Sequence, residues 1–181
     1  DIDRGVFWVG GSSFSTMIER STNYYQFELV FSHMVSYPER IDRAILISVA
    51  QQLWDSTDPE TYFPFITNGY NDVLGPNQVL MIDSVNDAQV SMLSSDRAGR
   101  TAAIPILSTS SRIPYAMVMD DGPVHGSAMV YFDGHFPGVP EGNSPPPLEY
   151  HSLAHNSIAI VPEASELAFQ FLSTGIITNT C

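Results

Sequence analysis

The chain contains no lysine, a single cysteine and no long apolar run. All seven of its basic residues are arginines, against 20 acidic residues, and the formal net charge is −13. A surface this negative repels phosphate backbones and anionic lipid headgroups, so we expect no nucleic-acid partner. Because no stretch approaches the ~18 apolar residues that a membrane helix needs, we expect no membrane span.

The one cysteine is the last residue, Cys181. It could be an inert thiol, the partner of a cysteine in a segment outside this sequence, or an intermolecular bridge. Pairing through a disulfide would imply an oxidising compartment, and we therefore expect a secreted or periplasmic protein. The opening residues, Asp1 to Arg4, lack both a methionine and a basic signal-peptide region, which indicates a processed or truncated start.

A further absence concerns catalysis, because no G-x-S-x-G motif occurs in the sequence. The best strand pattern, Val79 to Val85, nevertheless ends in the polar turn Asn86-Asp87. His155 lies further along and is followed by an amphipathic helix starting near Pro162. An acid at a strand tip and a histidine before the last helix follow the Ser…Asp…His order of α/β-hydrolases. The pattern predicts Asp87 as the triad acid and His155 as the base.

Both residues have plainer interpretations. Asp87 could simply cap its turn, since Asn-Asp pairs are common in turns. Asp83 is a rival acid, but it lies inside the apolar strand, which favours a structural role. His155 could be a surface-loop histidine, and His151 lies four residues before it.

Ser12 is the only serine that follows a strand and precedes a potential helix, in Gly10-Gly11-Ser12-Ser13-Phe14. A nucleophile elbow needs a small residue where Phe14 stands, because helix and strand approach closely there. The favoured interpretation of this stretch is therefore a Gly/Ser-rich loop after a core strand. A self-contained hydrolase that uses Ser12 remains an alternative.

Histidines and aspartates raise the question of a metal. His125, His135, His151 and His155 show no pair of helical spacing flanked by a glutamate, the pattern that zinc hydrolases use. We predict no metal and no cofactor for the triad chemistry. Calcium on the Asp-rich loops around Asp120, Asp121 and Asp133 stays open.

The remaining pattern predicts an α/β fold. Gly5 to Val9 and Val79 to Val85 are typical of buried parallel strands. Pro38 to Asp42 can open a helix, although residues 43–50 could instead form a strand. Asp58-Pro59 and Phe63-Pro64 indicate a loop-rich segment, and Gly69 to Asn77 indicates a linker. Short strands are predicted in 102–107, 116–119 and 128–132, the last two joined as a hairpin through Asp120 to Pro123. A final helix is expected over 161–173, ending at Gly175.

Several stretches together resemble a family of secreted bacterial α/β-hydrolases of the esterase or lipase type. They are Arg4-Gly5-Val6 with Gly10-Gly11, Glu19-Arg20-Ser21, Tyr37 to Arg43, Gln52 to Asp55 with Pro59 and Tyr62, Asn86 to Val90, and the C-terminal pattern of histidine, loop, helix and Cys181. The resemblance covers most of the chain. It implies that residues 1–181 form the C-terminal part of one α/β-hydrolase domain, with a helical cap over about 12–70.

The resemblance also implies roles. Asp87 and His155 would be the triad acid and base, and the nucleophilic serine would lie in an N-terminal half of the same precursor. That half, linked in one interpretation through Cys181, would be the partner, and a small ester the substrate. The aromatic content of the cap would suit an apolar acyl group. The alternative from a different class is a structural or interaction module on a hydrolase-like scaffold that has lost its chemistry.

Overall fold

The computed structural model describes residues 2–30, 37–139, 146–150 and 153–178, and these ranges contain both strands and helices. The strands are Arg4–Trp8 (β1), Gln78–Ser84 (β2), Ile106–Leu107 (β3), Met119–Asp120 (β4), Val124–His125 (β5), Ala128–Phe132 (β6) and Ile176–Ile177 (β7). The α-helices are Phe14–Met17 (α1), Tyr25–Leu29 (α2), Arg40–Trp54 (α3), Pro59–Asn68 (α4), Met92–Thr101 (α5), Leu153–Ser157 (α6) and Pro162–Thr174 (α7).

The main sheet has five strands in the order β1-β2-β6-β3-β4, and every pairing in it is parallel. Its central strands β2 and β6 are buried along almost their whole length, which is why their sequences are nearly continuous apolar runs. A separate antiparallel pair joins β5 to β7. The predicted α/β class with a mainly parallel sheet is confirmed.

Helices cover both faces of this sheet. Successive side chains of a strand point to opposite faces, so Leu80 and Ile82 of β2 join one core cluster with Phe171 of α7. Met81 joins a second cluster with Phe63 of α4 and other apolar side chains. The two clusters form the two interior layers of a helix–sheet–helix arrangement.

The final helix follows the predicted pattern closely. Pro162 occupies its first turn, where a missing N–H leaves no bond unmade, and Gly175 ends it with a φ of 74°. Its inward face carries four buried side chains: Ala164, Leu167, Ala168 and Phe171. The ambiguous segment after Pro38 is also helical, as α3.

Two predictions about local structure are wrong. The segment expected to be loop-rich is the helix α4, because Asp58 caps it and Pro59 stands at its start, where proline is favoured. The expected hairpin through Asp120 to Pro123 does not form. Strands β4 and β6 both pair with β3, which lies between them, so the intervening chain is a crossover in a parallel sheet.

The chain between β1 and β2 is mainly helical, and it contains α1 to α4. Packing of α1 and of α4 on α5 ties this segment to the rest of the molecule. Among the described residues, none of the helices has the length and apolar character needed to cross a bilayer.

Candidate functional site

The turn that follows β2 places Asp87 at the carboxyl end of the parallel sheet. Strand pairing ends just before it, where the Val85 N–H donates to the Phe132 carbonyl of β6 at 2.9 Å. Asn86 then adopts a left-handed conformation with φ 63°, which asparagine tolerates better than most residues. Its side-chain amide donates to the Phe136 carbonyl at 3.0 Å and holds the turn in place.

Asp87 is buried, and both of its carboxyl oxygens are engaged. Oδ1 accepts the backbone N–H groups of Gln89 at 2.8 Å and Val90 at 2.9 Å. This double contact fixes the carboxyl plane and leaves Oδ2 directed at another element. The arrangement is more than a turn cap, because a cap would need only one of the two oxygens.

The second oxygen meets His155. Nδ1 of His155 lies 2.9 Å from Oδ2 of Asp87, although the two residues are 68 positions apart in the chain. The histidine side chain is 18% exposed. The structure therefore brings together the two residues that the sequence singled out. A carboxylate on Nδ1 holds the neutral imidazole with Nε2 as the acceptor, which is the form that a general base needs.

One feature of the prediction for His155 is corrected. The histidine was expected in a loop, but it lies in the short helix α6. Ala154 and Ile158 bury themselves on the inner side of this turn, which fixes the position from which His155 reaches Asp87. This helix begins at Leu153. The rival His151 lies outside the described residues, as does Cys181.

The rival acid Asp83 is fully inside the protein. Burial raises the pKa of the Asp83 carboxyl well above its ordinary value, and the charges of Asp87 and Asp96 raise it further. A hydrogen bond with Ser95 acts in the opposite direction. Its Oδ1 has no hydrogen-bond partner among the described residues. The raised pKa favours the protonated form of Asp83, which agrees with the structural role predicted for this residue.

Ser12 is also buried, and its position does not suit a nucleophile. Its carbonyl accepts the Ser94 hydroxyl at 2.6 Å, and a side chain at neighbouring Gly11 would collide with Ser94 and Val90. Within the described part of the chain the Ser12 hydroxyl has no hydrogen-bond partner, so it makes no contact with His155 of the kind that activates a serine.

A cavity of about 720 Å³ lies beside the Asp87 turn, and we call it the cap cavity. Its walls come from side chains within residues 17–27 and 46–54 and from Gln89 and Val90, the two residues whose N–H groups bind Asp87. The Thr22 N–H donates to the Ala88 carbonyl at 2.8 Å and fastens this helical segment to the turn. Sequence reasoning missed the contribution of Gln89 and Val90 to the cavity, because nothing in the local pattern shows which distant helices will face a turn.

The other described histidines stand apart from this site. His135 forms an exposed pair with Asp133, with Nδ1 and Oδ2 at 3.7 Å, and His125 is exposed on β5. In the ranges that the structure covers, no group of three His, Cys, Asp or Glu side chains is placed to hold a metal ion.

Comparison with known proteins adds no relative: no protein-family model, no curated protein and no solved structure matches the chain.

Proposed function

We propose that this chain supplies the acid and the base of a serine hydrolase that acts on carboxylic esters. The observation that carries the proposal is the contact of 2.9 Å between Asp87 Oδ2 and His155 Nδ1 at the carboxyl end of β2. In open parallel sheets this end is where ligands bind. The finer assignment, to the C-terminal part of an α/β-hydrolase with a cap over about 12–70, belongs to the same proposal.

The chemistry follows from the geometry of the pair. His155 Nε2 would take the proton of a serine hydroxyl as the oxygen attacks the ester carbonyl, and Asp87 would stabilise the imidazolium that forms. The proton would then pass to the leaving alcohol, which departs and leaves an acyl-enzyme. Water, deprotonated by the same Nε2, would release the acid and restore the serine. None of these steps needs a cofactor.

The nucleophilic serine would come from a segment outside this sequence, in the N-terminal half of the same precursor. The free edge of β1 supports this part of the proposal, because among the described strands β1 ends the sheet and pairs only with β2. The Val9 N–H and the Asp3 carbonyl both bond to β2, at 2.7 and 2.9 Å. By the alternation of a parallel ladder, the backbone groups of Val6 and Trp8 then face the open side, where another strand could pair.

The test is ester hydrolysis by the natural protein that contains this chain and its serine-bearing segment, with p-nitrophenyl acetate as substrate. We expect Asp87→Asn to lower kcat/KM by about 10⁴-fold, because the imidazole then loses its orientation and its counter-charge. His155→Ala should lower it by at least about a thousandfold. Both variants should bind substrate with little change in KM, since neither side chain holds the ester in the ground state.

The chain offers a matched control in its other Asp–His pair. Asp133→Asn alters the exposed contact with His135 and should leave kcat/KM unchanged. Full activity of the Asp87→Asn protein would contradict the proposed roles. Absence of ester hydrolysis in the unaltered protein would favour the alternative, a non-catalytic module on a hydrolase-like scaffold.

A further inference from the structure

A second cavity, of about 410 Å³, lies where α3, α5 and the segment 15–20 meet. Its volume falls within the roughly 300–1,000 Å³ usual for small-molecule sites. In contrast to the cap cavity, it is lined by charged and hydroxyl side chains. Because three of them are arginines, we call it the arginine pocket; these and the hydroxyl residues are Arg20, Arg97, Arg100, Ser15, Thr16 and Ser48.

Charge separates the arginine pocket from the molecule around it. The sequence has only seven basic residues and a net charge of −13, yet three of the seven line this one cavity. Among the described lining residues Glu19 is the only acid, so three arginines and one glutamate give the lining a formal charge of +2. A positive cavity attracts an anion, and the negative surface around it repels long polyanions. The arrangement therefore favours a small, compact anion.

The arginines retain hydrogen-bond donors for such an anion. Arg97 pairs with Glu60, at 2.7 and 2.9 Å. Arg20 donates to one backbone carbonyl at 2.7 Å, and Arg100 donates to another at 3.3 Å. In the part of the chain that the structure describes, neither Arg20 nor Arg100 forms a salt bridge with a carboxylate. Since a guanidinium group has five N–H donors, both can bind a further acceptor.

The surroundings of Arg20 favour an added negative charge. Burial lowers the pKa of Arg20, because its charge is partly removed from water, and the charge of Glu19 offsets this only in part. A bound anion would supply counter-charge where hydration is lost. The hydroxyl groups of Ser15, Thr16 and Ser48 line the same cavity, and a hydroxyl can rotate to donate to an anion's oxygen.

We propose that the arginine pocket binds the phosphate group of a small ligand. Guanidinium groups match phosphate oxygens through paired N–H donors. Arginines from two segments and hydroxyls from a third can surround the several oxygens of a phosphate, whereas a carboxylate offers only two. The phosphate group could belong to inorganic phosphate or to a small phosphate ester. None of the described lining residues belongs to the Asp87–His155 pair, so this proposal does not depend on the proposed function.

Isothermal titration calorimetry of this chain at neutral pH can test the site. Ionic strength is held constant with sodium chloride, because salt screens exposed charges. We expect inorganic phosphate to bind saturably, one per chain, at millimolar concentrations. Tighter binding of glycerol 3-phosphate would identify an ester as the ligand, and equal or weaker binding would identify the free anion. Binding of acetate as tight as that of phosphate would overturn the phosphate assignment.

Two arginine substitutions form a matched pair. Arg100→Gln removes a positive charge from the pocket, whereas Arg4→Gln removes one from β1, where Arg4 donates to Gln78 and to the Leu172 carbonyl. Both variants have the same net charge. We expect Arg100→Gln to weaken phosphate binding by about tenfold or more, because a charge-assisted hydrogen bond is lost. Arg4→Gln should leave the affinity within about twofold, as expected of a distant site.

A second pair on α3 adds a charge instead of removing one. Ser48 lines the pocket, whereas Gln52 lies one turn further along the same helix and outside the described lining. Ser48→Glu should weaken phosphate binding by about tenfold or more, because a carboxylate would pair with the arginines in place of the ligand. Gln52→Glu should change it by less than about threefold, since exposed charges interact weakly in water.

The titrations also separate binding from a general salt effect. Phosphate stabilises many proteins because it is excluded from their surface, and this effect neither saturates at a single site nor depends on one arginine. Saturable heat that Arg100→Gln and Ser48→Glu reduce, and that Arg4→Gln and Gln52→Glu retain, would support the site. Equal affinity in the unaltered protein and both pocket variants, or no saturable heat in the unaltered protein, would overturn the proposal.

Discussion

The protonation state of one side chain, Asp83, affects how the Asp87–His155 pair works. Asp83 lies in β2 opposite Tyr131 of β6, and it is four residues before Asp87. If both carboxyls were ionised, two negative charges would lie at the same end of a buried strand. Burial and the charges of Asp87 and Asp96 raise the pKa of Asp83, which favours its neutral form and so reduces the repulsion between the two carboxyls.

This raised pKa makes stability fall as pH rises. The unfolded chain releases the Asp83 proton near pH ~3.9, while the folded protein keeps it. Above that pH the folded state holds a proton that the unfolded state has released. The free energy of unfolding therefore falls by about 1.4 kcal/mol per pH unit until the pKa of the folded state is reached. Asp83→Asn removes this loss. We therefore expect the difference in unfolding free energy, variant minus wild type, to increase with pH.

Urea unfolding across a pH series measures this difference, and its slope is the diagnostic quantity. The Asp83→Asn substitution introduces amide donors into a site where Oδ1 of Asp83 has no partner among the described residues, so a constant offset between the two proteins is expected. Parallel pH profiles of the two proteins would show that Asp83 is ionised in the folded state.

At the residue scale, the sequence singled out particular side chains where a local pattern carried the information. Asp87 stood out because an apolar strand ended in an Asn-Asp turn, and a structural role was predicted for Asp83 because it lay inside that strand. The contact of Asp87 with His155 depends on the tertiary fold, because the two residues are 68 positions apart in the chain. The position of His155 before the last helix allowed the partner to be named, but the short helix that aims it depends on the burial of Ala154 and Ile158.

At the scale of elements, Asp58 joins three segments of the proposed cap. It is fully buried and begins α4, where its Oδ1 accepts the Glu60 N–H at 3.0 Å. The same carboxyl accepts the N–H groups of Ser13 and Phe14, which open α1, at 2.9 and 2.8 Å. It also accepts the Gln51 side-chain amide of α3 at 2.9 Å. Although burial opposes it, these hydrogen bonds lower the pKa of Asp58.

Asp58→Ala should therefore destabilise the whole molecule by about 3 kcal/mol, because a helix cap is lost and buried donors are left without acceptors. The control Asp55→Asn changes an exposed carboxyl that also contacts Gln51, and it should cost less than about 0.5 kcal/mol. Urea unfolding at neutral pH gives both values. The Asp58 contribution should disappear in acid, as the pH falls through a folded pKa that lies below 3.8. A cost for Asp58→Ala no larger than that of the control would contradict this role.

Elements were predictable from sequence where periodicity and end signals agreed, as in β2 and α7. They were not where a signal had two meanings. Asp58-Pro59 is both a loop signal and an ideal helix start, and Pro64 inside α4 argued for the loop, although Phe63 buries its ring against the sheet. The order of β3, β4 and β6 in the sheet could not be predicted from the sequence either. β3 and β4 have two residues each, and strands this short carry no pattern that identifies their neighbours.

At the scale of the molecule, the described strands leave β1 as an open edge of the main sheet. The sheet ends at β1, and Phe7 in this strand is 37% exposed, although it contacts the Phe63 ring at 5.8 Å. Proteins rarely leave such an edge without protection, because it can pair with any extended chain. The proposed serine-bearing segment would cover it and would complete the site at the same time.

Amide hydrogen exchange along β1 can test this pairing, since neighbouring residues serve as each other's controls. The N–H of Val9 bonds to β2 at 2.7 Å, and the ladder's alternation assigns the N–H of Phe7 to the same side. We expect the amides of Phe7 and Val9 to exchange slowly in this chain, and those of Val6 and Trp8 to exchange fast. In the complete protein all four should be slow, because the added strand would bond to the outward pair. If Val6 and Trp8 continued to exchange fast beside slow Phe7 and Val9, the serine-bearing segment would not pair with β1, and the nucleophile would have to reach His155 by another route.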